Sequence, residues 1–473
     1  MKTYPLYLNG EFVQSDPVWD VINPADGEVC ARVSTIDRAR LAQAIADAHT
    51  AFAGWRQLTA KARGEVLRRI AAELDSRRDE VARLISLENG KPLAQSLGEV
   101  ALSVDHLQWF AEEGRRAYGR IIPPQADGKR NLVMKTPIGV VGAISPWNFP
   151  LMLAVRKVAP ALAAGCPVVL KPARQTPLSC VAFAECVHAA GLPKGALQVV
   201  CGPSDEFGEE LLTNRLCRKV TFTGSTEVGR ILIGKAADTV KPLSLELGGN
   251  APLLVFDDAD LNVAVEGALL AKMRNTGQSC IGANRLFVHR PVYERFLEAF
   301  VARVKSLKVG EFSEPGVEIG PMIDQPALDH ALALVQDAVQ RGARLLSGGR
   351  RVTRKGFFFE PTVLADVPAG ALCRRREIFA PLAPVTLFDT EAEAIQLAND
   401  TVHGLSAYVF TRDLSRMFRL AENLEAGMIG VNDGLPTTSN APFGGVKQSG
   451  WGRELGSEGM DAFLETKHLS IRI

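Results

Sequence analysis

One of the eight cysteines stands in a setting that could make it a nucleophile. Cys280 ends the segment 275–280, which is polar and contains glycine, whereas the other cysteines lie mostly in apolar surroundings typical of packing residues. A thiol in a polar loop can be activated as a thiolate and attack an electrophilic carbon. Lone cysteines are more commonly inert, so the residues alone leave both interpretations open.

A carboxylate and an amide also occupy unusual positions. Glu246 lies inside the apolar run 243–247, just before two glycines. Burial without a partner would raise its pKa toward the range of a general base, and a salt-bridged strand glutamate is the alternative. Asn148 lies in the proline-bounded segment 146–150, as either an amide donor at a ligand site or part of a structural turn.

The segment 220–229 has the pattern of a strand, a tight turn and the start of a helix. Gly224 permits close approach of the backbone, and Ser225 can cap the helix, whose positive end would suit a pyrophosphate. An ordinary capped turn fits the same residues, and the GxGxxG fingerprint of dinucleotide-binding turns is absent. The pattern permits a phosphate site without establishing one.

These residues are spread over a chain that must form several cores. Its 473 residues suggest two to four domains, at roughly 100–200 residues each. We expect a hairpin around Asn9-Gly10 and helices from about residue 36 to residue 118. Short apolar runs then alternate with helix-like segments, which predicts a parallel sheet covered on both faces. These runs are 140–144, 168–170, 197–201, 220–222 and 243–247.

A second alternating series follows Asn250 and predicts a second α/β domain. Its apolar runs include 286–288, 357–359, 385–388, 407–410 and 428–431. Ligands of parallel sheets bind beyond the carboxyl ends of the strands, so we expect the functional site there.

Composition excludes several classes of function. Hydrophobic residues make up 47% and charged residues 23%, as in globular proteins, and 54 basic against 53 acidic residues give no reason to expect a nucleic-acid or membrane partner. The start of the chain lacks the apolar run of a signal peptide, and prolines and charges interrupt the most apolar region, 140–170. With no CxxC or HExxH motif, we expect reduced thiols, a cytoplasmic location and no metal site.

Together the motifs resemble the aldehyde dehydrogenase superfamily over essentially the whole chain. Seven motifs stand in family order: 146–150, 171–173, 222–229, 246–249, 277–280, 377–379 and 442–445. The interval from Glu246 to Cys280, 280 − 246 = 34 residues, is that of family members. The resemblance implies an α/β fold with a Rossmann-like parallel-sheet cofactor domain, a second α/β catalytic domain and a small β oligomerisation arm.

The same resemblance implies a division of the chain and its partners. Residues 1–116 and 138–248 would form the dinucleotide-binding domain, and residues 249–449 the catalytic domain. Residues 117–137 and 450–473 would form the oligomerisation segment of a homodimer or homotetramer. The expected small-molecule partner is an aldehyde.

Roles for the candidate residues follow from the resemblance. Cys280 would attack the aldehyde carbon as a thiolate, Asn148 and the backbone N–H of Cys280 would stabilise the oxyanion, and Glu246 would activate the water that hydrolyses the thioester. NAD or NADP would accept the hydride. Glu377 would hold the nicotinamide ribose, Lys171 the adenosine ribose and Ser225 the pyrophosphate. The full set of expected cofactor-binding residues is Ser145, Trp147, Lys171, Arg174, Gly224, Ser225, Glu377 and Phe379.

Within the family, segments 244–260 and 274–285 are similar to succinate-semialdehyde dehydrogenases. That branch holds the distal carboxylate of its substrate with two arginines and a hydroxyl residue. The matching positions are Arg156, Arg274 and Thr437, with Phe443 also expected at the substrate. Guanidinium groups bind carboxylates in bidentate fashion, although either arginine could instead form a structural ion pair.

The resemblance thus implies oxidation of succinate semialdehyde to succinate. Oxidation of glutarate semialdehyde, a broad or aromatic aldehyde dehydrogenase activity, and a catalytically dead homologue remain as alternatives.

Three positions depart from the family pattern. Gly282 replaces the second cysteine of members with a redox switch, so no disulfide with Cys280 is expected. Arg174 stands where NAD-preferring members usually carry glutamate, which predicts that NADP is accepted. Ala380 replaces a usual glycine after Phe379, a change to which we assign no functional consequence.

Overall fold

The structure is a computed structural model that describes residues 1–473. Its strands form five sheets. The strands are β1 (Thr3–Tyr4), β2 (Leu6–Leu8), β3 (Glu11–Val13), β4 (Val18–Ile22), β5 (Val29–Ser34), β6 (Arg120–Ile122), β7 (Lys129–Pro137), β8 (Val140–Ile144), β9 (Val168–Lys171), β10 (Leu197–Val199), β11 (Cys217–Thr223), β12 (Leu243–Glu246), β13 (Ala251–Val255), β14 (Ala283–His289), β15 (Arg344–Ser347), β16 (Thr362–Ala365), β17 (Leu382–Phe388), β18 (His403–Gly404), β19 (Ser406–Phe410), β20 (Met428–Val431), β21 (Val446–Lys447), β22 (Gly450–Trp451) and β23 (Leu464–Arg472).

Helices connect and cover these sheets. They are α1 (Arg38–Trp55), α2 (Ala60–Ser76), α3 (Arg78–Asn89), α4 (Leu93–Glu113), α5 (Pro150–Ala164), α6 (Leu178–Ala189), α7 (Ser204–Thr213), α8 (Thr226–Ala236), α9 (Leu261–Met273), α10 (Tyr293–Lys305), α11 (Gln325–Gln340), α12 (Leu372–Arg375), α13 (Glu391–Asn399), α14 (Leu414–Asn423) and α15 (Glu458–Asp461). No helix is long and apolar enough to span a membrane.

The first large sheet has the strand order β22-β12-β11-β8-β9-β10-β2-β3. Its five central strands, β12 to β10 in that order, run parallel. Their side chains alternate between two apolar cores, one on each face: Val141 and Ala143 belong to one core and Val140 to the other. Burial on both faces explains why these strands are apolar without interruption, and the predicted parallel sheet is confirmed.

The N-terminal hairpin is also confirmed. Strands β2 and β3 pair in antiparallel fashion across Asn9 and Gly10, whose φ angles are +47° and +83°. Two successive positive φ angles define the type I′ turn that such a pair favours.

The second large sheet has the order β15-β16-β17-β14-β13-β19-β20 and is parallel except at β15. It contains four of the five runs predicted for this domain. The predicted strand at 357–359 is wrong, because this segment is a loop in which only Phe359 forms an isolated bridge, with Arg351. The loop is fixed instead by backbone bonds to distant segments: the Phe357 N–H donates to the Pro24 carbonyl (3.0 Å), and the Phe357 carbonyl accepts the Met322 N–H (2.9 Å).

Two features place the functional site. The connection from β12 to β13, residues 247–250, joins the two large sheets directly. Within it, a Cβ on Gly249 would lie 2.1 Å from the carbonyl oxygen of Cys280, so a side chain there would separate the connection from the loop that precedes β14. The carboxyl ends of β8, β11 and β12 therefore face the segment that carries Cys280.

A three-stranded sheet, β23-β7-β6, is separate from both. Strand β23 pairs along its whole length with β7, from Leu464 opposite Pro137 to Arg472 opposite Lys129. Most of its side chains are exposed.

Candidate active site

The loop that presents Cys280 has a left-handed backbone. After α9, Asn275, Thr276 and Gly277 have φ angles of +52°, +56° and +71°. A Cβ on Gly277 would lie 2.1 Å from the carbonyl oxygen of Ala380, so only glycine fits. Thr276 Oγ1 bonds to the backbone of Gly320, which fixes the turn from its other side.

Cys280 is a half-buried residue with a free thiol. Burial, followed by the negative potential of Glu377 and Glu246, raises its pKa to about 12. The thiol is therefore protonated near neutral pH, and nucleophilic attack requires the loss of that proton.

Asn148 lies beside this loop, after the end of β8. Its side-chain Nδ2 donates to the carbonyl oxygen of Gln278 (3.2 Å), two residues before Cys280. Its own carbonyl accepts from Asn275 Nδ2 (2.8 Å) and Lys91 Nζ (3.0 Å). These bonds hold the Asn148 segment against the loop that carries Cys280. The side-chain amide of Asn148 has a second N–H that none of them uses.

Lys91 forms a fully buried ion pair with Glu99, which the sequence analysis missed. Glu99 Oε1 accepts the backbone N–H groups of Leu151 (3.0 Å) and Met152 (3.2 Å), at the start of α5. A carboxylate at a helix N-terminus is stabilised by the free N–H groups there. The pair thus fixes both Asn148 and the helix that follows it.

Glu246 ends β12 and is buried, and its Oε2 atom has no hydrogen-bond partner. Burial, followed by repulsion from Glu454, raises the pKa of this carboxyl well above its usual value. A Cβ on Gly444 would lie 2.9 Å from Glu246 Oε1, so the glycine allows the 442–445 segment to lie against the carboxyl.

A second buried ion pair lies next to Glu246. Lys157 Nζ donates to Glu454 Oε1 (2.5 Å) and to Thr223 Oγ1 (2.6 Å), and its positive charge opposes the rise in the Glu246 pKa. The partner of this lysine is therefore Glu454, and Glu246 is not a salt-bridged strand glutamate. Sequence analysis missed this pair, although a lysine within the apolar run of α5 is the kind of signal that could have revealed it.

A cavity of about 210 Å³ extends from Cys280 toward the N-terminus of α8. Glu377 Oε1 accepts the Gly249 N–H there (3.0 Å), and burial raises the pKa of Glu377 to about 7. Trp147 and Phe379 meet edge to face, with ring centroids 5.4 Å apart. The lining residues are Pro146, Trp147, Asn148, Thr223, Gly224, Ser225, Leu247, Gly248, Cys280, Glu377 and Phe379.

These groups suit a nicotinamide nucleotide. The aromatic pair offers a wall for a flat ring, Glu377 an acceptor for ribose hydroxyls, and the α8 N-terminus a positive end for a pyrophosphate. Ser225 is the N-cap of α8, and its Oγ accepts the Val228 N–H (3.3 Å).

Three of the predicted cofactor residues do not line this cavity. Ser145 and Lys171 are buried where β8 and β9 end, and the Ser145 N–H donates to the Lys171 carbonyl (3.1 Å). Arg174 is exposed, and its guanidinium lies over the ring of Trp19, 5.1 Å from the centroid. These residues form a second group, near the carboxyl end of β9.

A mostly apolar cavity lies on the other side of Cys280 and contains all four predicted substrate residues. Arg156 and Arg274 are both in its wall, and neither has a carboxylate oxygen within 4 Å, so the structural ion pairs considered above do not form. Thr437 Oγ1 is buried without a partner. The lining residues are Leu102, Phe149, Met152, Leu153, Arg156, Arg274, Ser279, Cys280, Ile281, Leu435, Thr437 and Phe443.

Comparison with known proteins identifies the family. Residues 12–469 match the aldehyde dehydrogenase family. The chain is 49% identical to glutarate-semialdehyde dehydrogenase of Pseudomonas putida over 99% of this chain and 97% of that protein. It is 48% identical to succinate-semialdehyde dehydrogenase (NADP+) GabD of Escherichia coli, over 98% and 97%.

A solved structure agrees with this assignment. The crystal structure of succinate-semialdehyde dehydrogenase from Burkholderia pseudomallei superposes with a TM-score of 0.98 at 47% identity, covering 99% of this chain and 98% of that one. The chain belongs to the aldehyde dehydrogenase family, and the predicted family and fold are confirmed.

Proposed function

We propose that this enzyme oxidises succinate semialdehyde to succinate with NADP or NAD as hydride acceptor. The supporting observation is the pair of guanidinium groups of Arg156 and Arg274, which line one cavity with Cys280 and lack a carboxylate partner. Glutarate semialdehyde, one methylene longer, is the alternative, because relatives named for either substrate are similar to this chain to nearly the same extent.

A distal carboxylate would complete this cavity. The guanidinium of Arg156 is buried and that of Arg274 is half-buried. Such groups are costly without an anionic partner, and their planar donors match a carboxylate in bidentate geometry. Thr437 Oγ1 supplies a further donor that no protein group uses. The apolar residues around them suit the short methylene chain between the carboxylate and the aldehyde.

In the first step Cys280 loses its proton to solvent, and its Sγ forms a bond to the aldehyde carbon. The carbonyl oxygen becomes an oxyanion, stabilised by Asn148 Nδ2 and by the backbone N–H of Cys280. Bound NAD(P) supplies the acceptor for the hydride, which leaves a thioester on Cys280.

In the second step the Glu246 carboxylate takes a proton from water. The resulting hydroxide attacks the thioester carbon, the C–S bond breaks, and the acid leaves. A carboxylate with a raised pKa is suited to this because its basicity lies closer to that of neutral solution. The unpartnered Oε2 of Glu246 supports the role.

The cofactor side divides between two groups of residues. Trp147, Gly224, Ser225, Glu377 and Phe379 line the cavity at Cys280 and would hold the nicotinamide, its ribose and the pyrophosphate. Ser145, Lys171 and Arg174 would hold the adenosine end. The exposed Arg174 supports acceptance of NADP, since a guanidinium attracts a 2′-phosphate.

Kinetics with two aldehydes of equal chain length test the substrate. Succinate semialdehyde and butanal differ in the carboxylate, so R156A and R274A should each raise KM for succinate semialdehyde roughly tenfold to a hundredfold, the value of a charge-assisted hydrogen bond. KM for butanal should stay within about twofold. R174A is the matched control, because it removes an arginine far from this cavity and should affect only NADP. Equal effects on both aldehydes would contradict the carboxylate proposal.

We also propose a homodimer or homotetramer built through the sheet β23-β7-β6. Its support is the exposed apolar surface on these strands, including Ile121 (78% exposed), Met134 and Leu469. Light scattering on the intact protein and on I121K tests this, and a monomeric wild type would contradict it. We also propose three units of the chain. The dinucleotide-binding unit is residues 1–116 with 138–248, the catalytic unit is residues 249–449, and the oligomerisation unit is residues 117–137 with 450–473.

We propose the cytoplasm as the location, supported by the eight free thiols, which a reducing compartment maintains. Fractionation of the native host cell tests it.

A further inference from the structure

A buried histidine holds the predicted substrate arginine. Arg156 Nε donates to His106 Nε2 (3.2 Å), and His106 Nδ1 lies 2.7 Å from Ser439 Oγ. Ser439 Oγ in turn donates to a carboxylate oxygen of Asp105. Asp105 and His106 are neighbours on α4, whereas Ser439 belongs to the segment before Phe443, so the chain of bonds joins three parts of the molecule.

The hydrogen positions in this chain follow from its two ends. A guanidinium only donates, so His106 Nε2 must accept, and the ring proton must be on Nδ1. That proton is donated to Ser439 Oγ, and the serine proton goes to the exposed carboxylate of Asp105. Each of these three donors therefore has one acceptor, and the bonds fix His106 in the tautomer that carries its proton on Nδ1.

The ring is neutral as well as fixed in orientation. Burial, followed by the positive charge of Arg156, lowers the pKa of His106 well below its usual value. The groups that face it are Arg156, Ser439 and, through the serine, Asp105. A protonated imidazole would lose its acceptor and place two cations 3.2 Å apart.

The remaining contacts of Arg156 leave one edge of its guanidinium for a ligand. One face lies over the ring of Phe443, 4.5 Å from the centroid, and Nη2 meets only the weak acceptor Met152 Sδ at 3.7 Å. Since Nε is held by His106, the end of the group, Nη1 and Nη2, is left for the cavity that contains Cys280.

We propose that His106 is a positioning residue that fixes the Arg156 guanidinium for the distal carboxylate of the substrate and thereby sets the preference for acidic over neutral aldehydes. This inference rests on the proposed function. Ser439 follows Thr437 by two residues, so the same bonds also hold the segment that carries the unpartnered Thr437 hydroxyl.

The test compares three variants with succinate semialdehyde and butanal. H106F keeps an aromatic ring but no acceptor, and should raise KM for succinate semialdehyde roughly tenfold, with kcat, KM for butanal and KM for NADP changed less than about twofold. H106Q places an amide oxygen near the position of Nε2, so its KM for succinate semialdehyde should be at most about twice that of wild type. S439A should raise KM for succinate semialdehyde severalfold, because the ring proton of His106 is then no longer held on Nδ1.

S103A is the matched control. Ser103 is a buried residue of α4, and its hydroxyl bonds only to its own helix, at the Glu99 carbonyl.

The outcomes separate the two claims. If wild type prefers succinate semialdehyde and H106F and S439A leave that preference unchanged, or lower activity on both aldehydes alike, the role of His106 is overturned while the proposed function stands. If wild type has no preference for succinate semialdehyde over butanal, both fail. Should H106F not fold, S439A with S103A decides the question, because neither removes the imidazole.

Discussion

At the scale of residues, the buried charges around Cys280 differ in whether they have a partner. Lys91 pairs with Glu99 and Lys157 with Glu454, whereas Glu246 Oε2 has no partner. Buried ion pairs are weak contributors to stability but costly to break, which suits groups that must hold a geometry. The unpartnered carboxyl is free to act on a reactant that arrives during the cycle.

Removal of the Glu246 carboxylate should separate the two halves of the reaction. In E246Q the amide cannot take a proton from water, so the thioester should accumulate and steady-state turnover should fall about 10²–10⁴-fold. A rapid-mixing trace should still show close to one NADPH per active site before the rate falls. C280S is the control and should show no burst, and a steady-state rate near that of wild type in E246Q would show that another base acts.

The raised pKa of Glu246 also predicts how turnover changes with pH. A carboxyl is active as a base only above its pKa, so turnover of wild type should rise with pH through a pKa well above the usual carboxyl value. In E246Q this rise should disappear. Wild-type turnover that stays constant over the roughly two pH units from pH 5 to neutrality would contradict this protonation scheme.

At the scale of elements, short connections at strand ends bring the reacting groups together. Gly249, after β12, lets that connection approach the Cys280 carbonyl, and Gly277, after α9, lets the cysteine loop approach Ala380. Both positions need glycine because the backbone there contacts a residue more than thirty positions further along the chain.

The substitution G277A should therefore inactivate the enzyme. Its Cβ would lie 2.1 Å from the Ala380 carbonyl oxygen at a φ of +71°, so the loop would have to move and Cys280 with it. We expect kcat/KM to fall at least about 100-fold, as displacement of a reacting group by 1 Å does. G54A is the control, because Gly54 is an exposed residue of α1 with no atom within 4 Å of a Cβ. This change should raise stability by up to about 1 kcal/mol. Full activity of G277A would contradict the proposed packing of the loop.

At the scale of the whole molecule, the sequence predicts the parallel sheets well and some loops poorly. Strands β8 to β12 are recognisable because burial on both faces leaves them apolar throughout. Residues 357–359 are equally apolar, but Phe358 and Phe359 are buried in a loop. Apolar character reports burial, and does not by itself distinguish a strand from a loop packed under other segments.

The candidate site divides in a similar way. Cys280, Glu246 and Asn148 stand out because their residue types conflict with their immediate neighbours. His106 and Lys157 could not be assigned roles from the sequence, since each is held by a partner that is far along the chain: Ser439, 333 residues away, and Glu454, 297 residues away. Only the folded chain shows those pairs.

A crystal structure of C280S with succinate semialdehyde and NADP tests whether the two arginines bind the substrate carboxylate. We predict that the substrate carboxylate lies between Arg156 and Arg274, with guanidinium nitrogens about 2.7–2.9 Å from its oxygens. Its aldehyde carbon should lie beside residue 280. A carboxylate bound outside this cavity, or an ordered substrate that contacts neither arginine, would contradict the proposed substrate site.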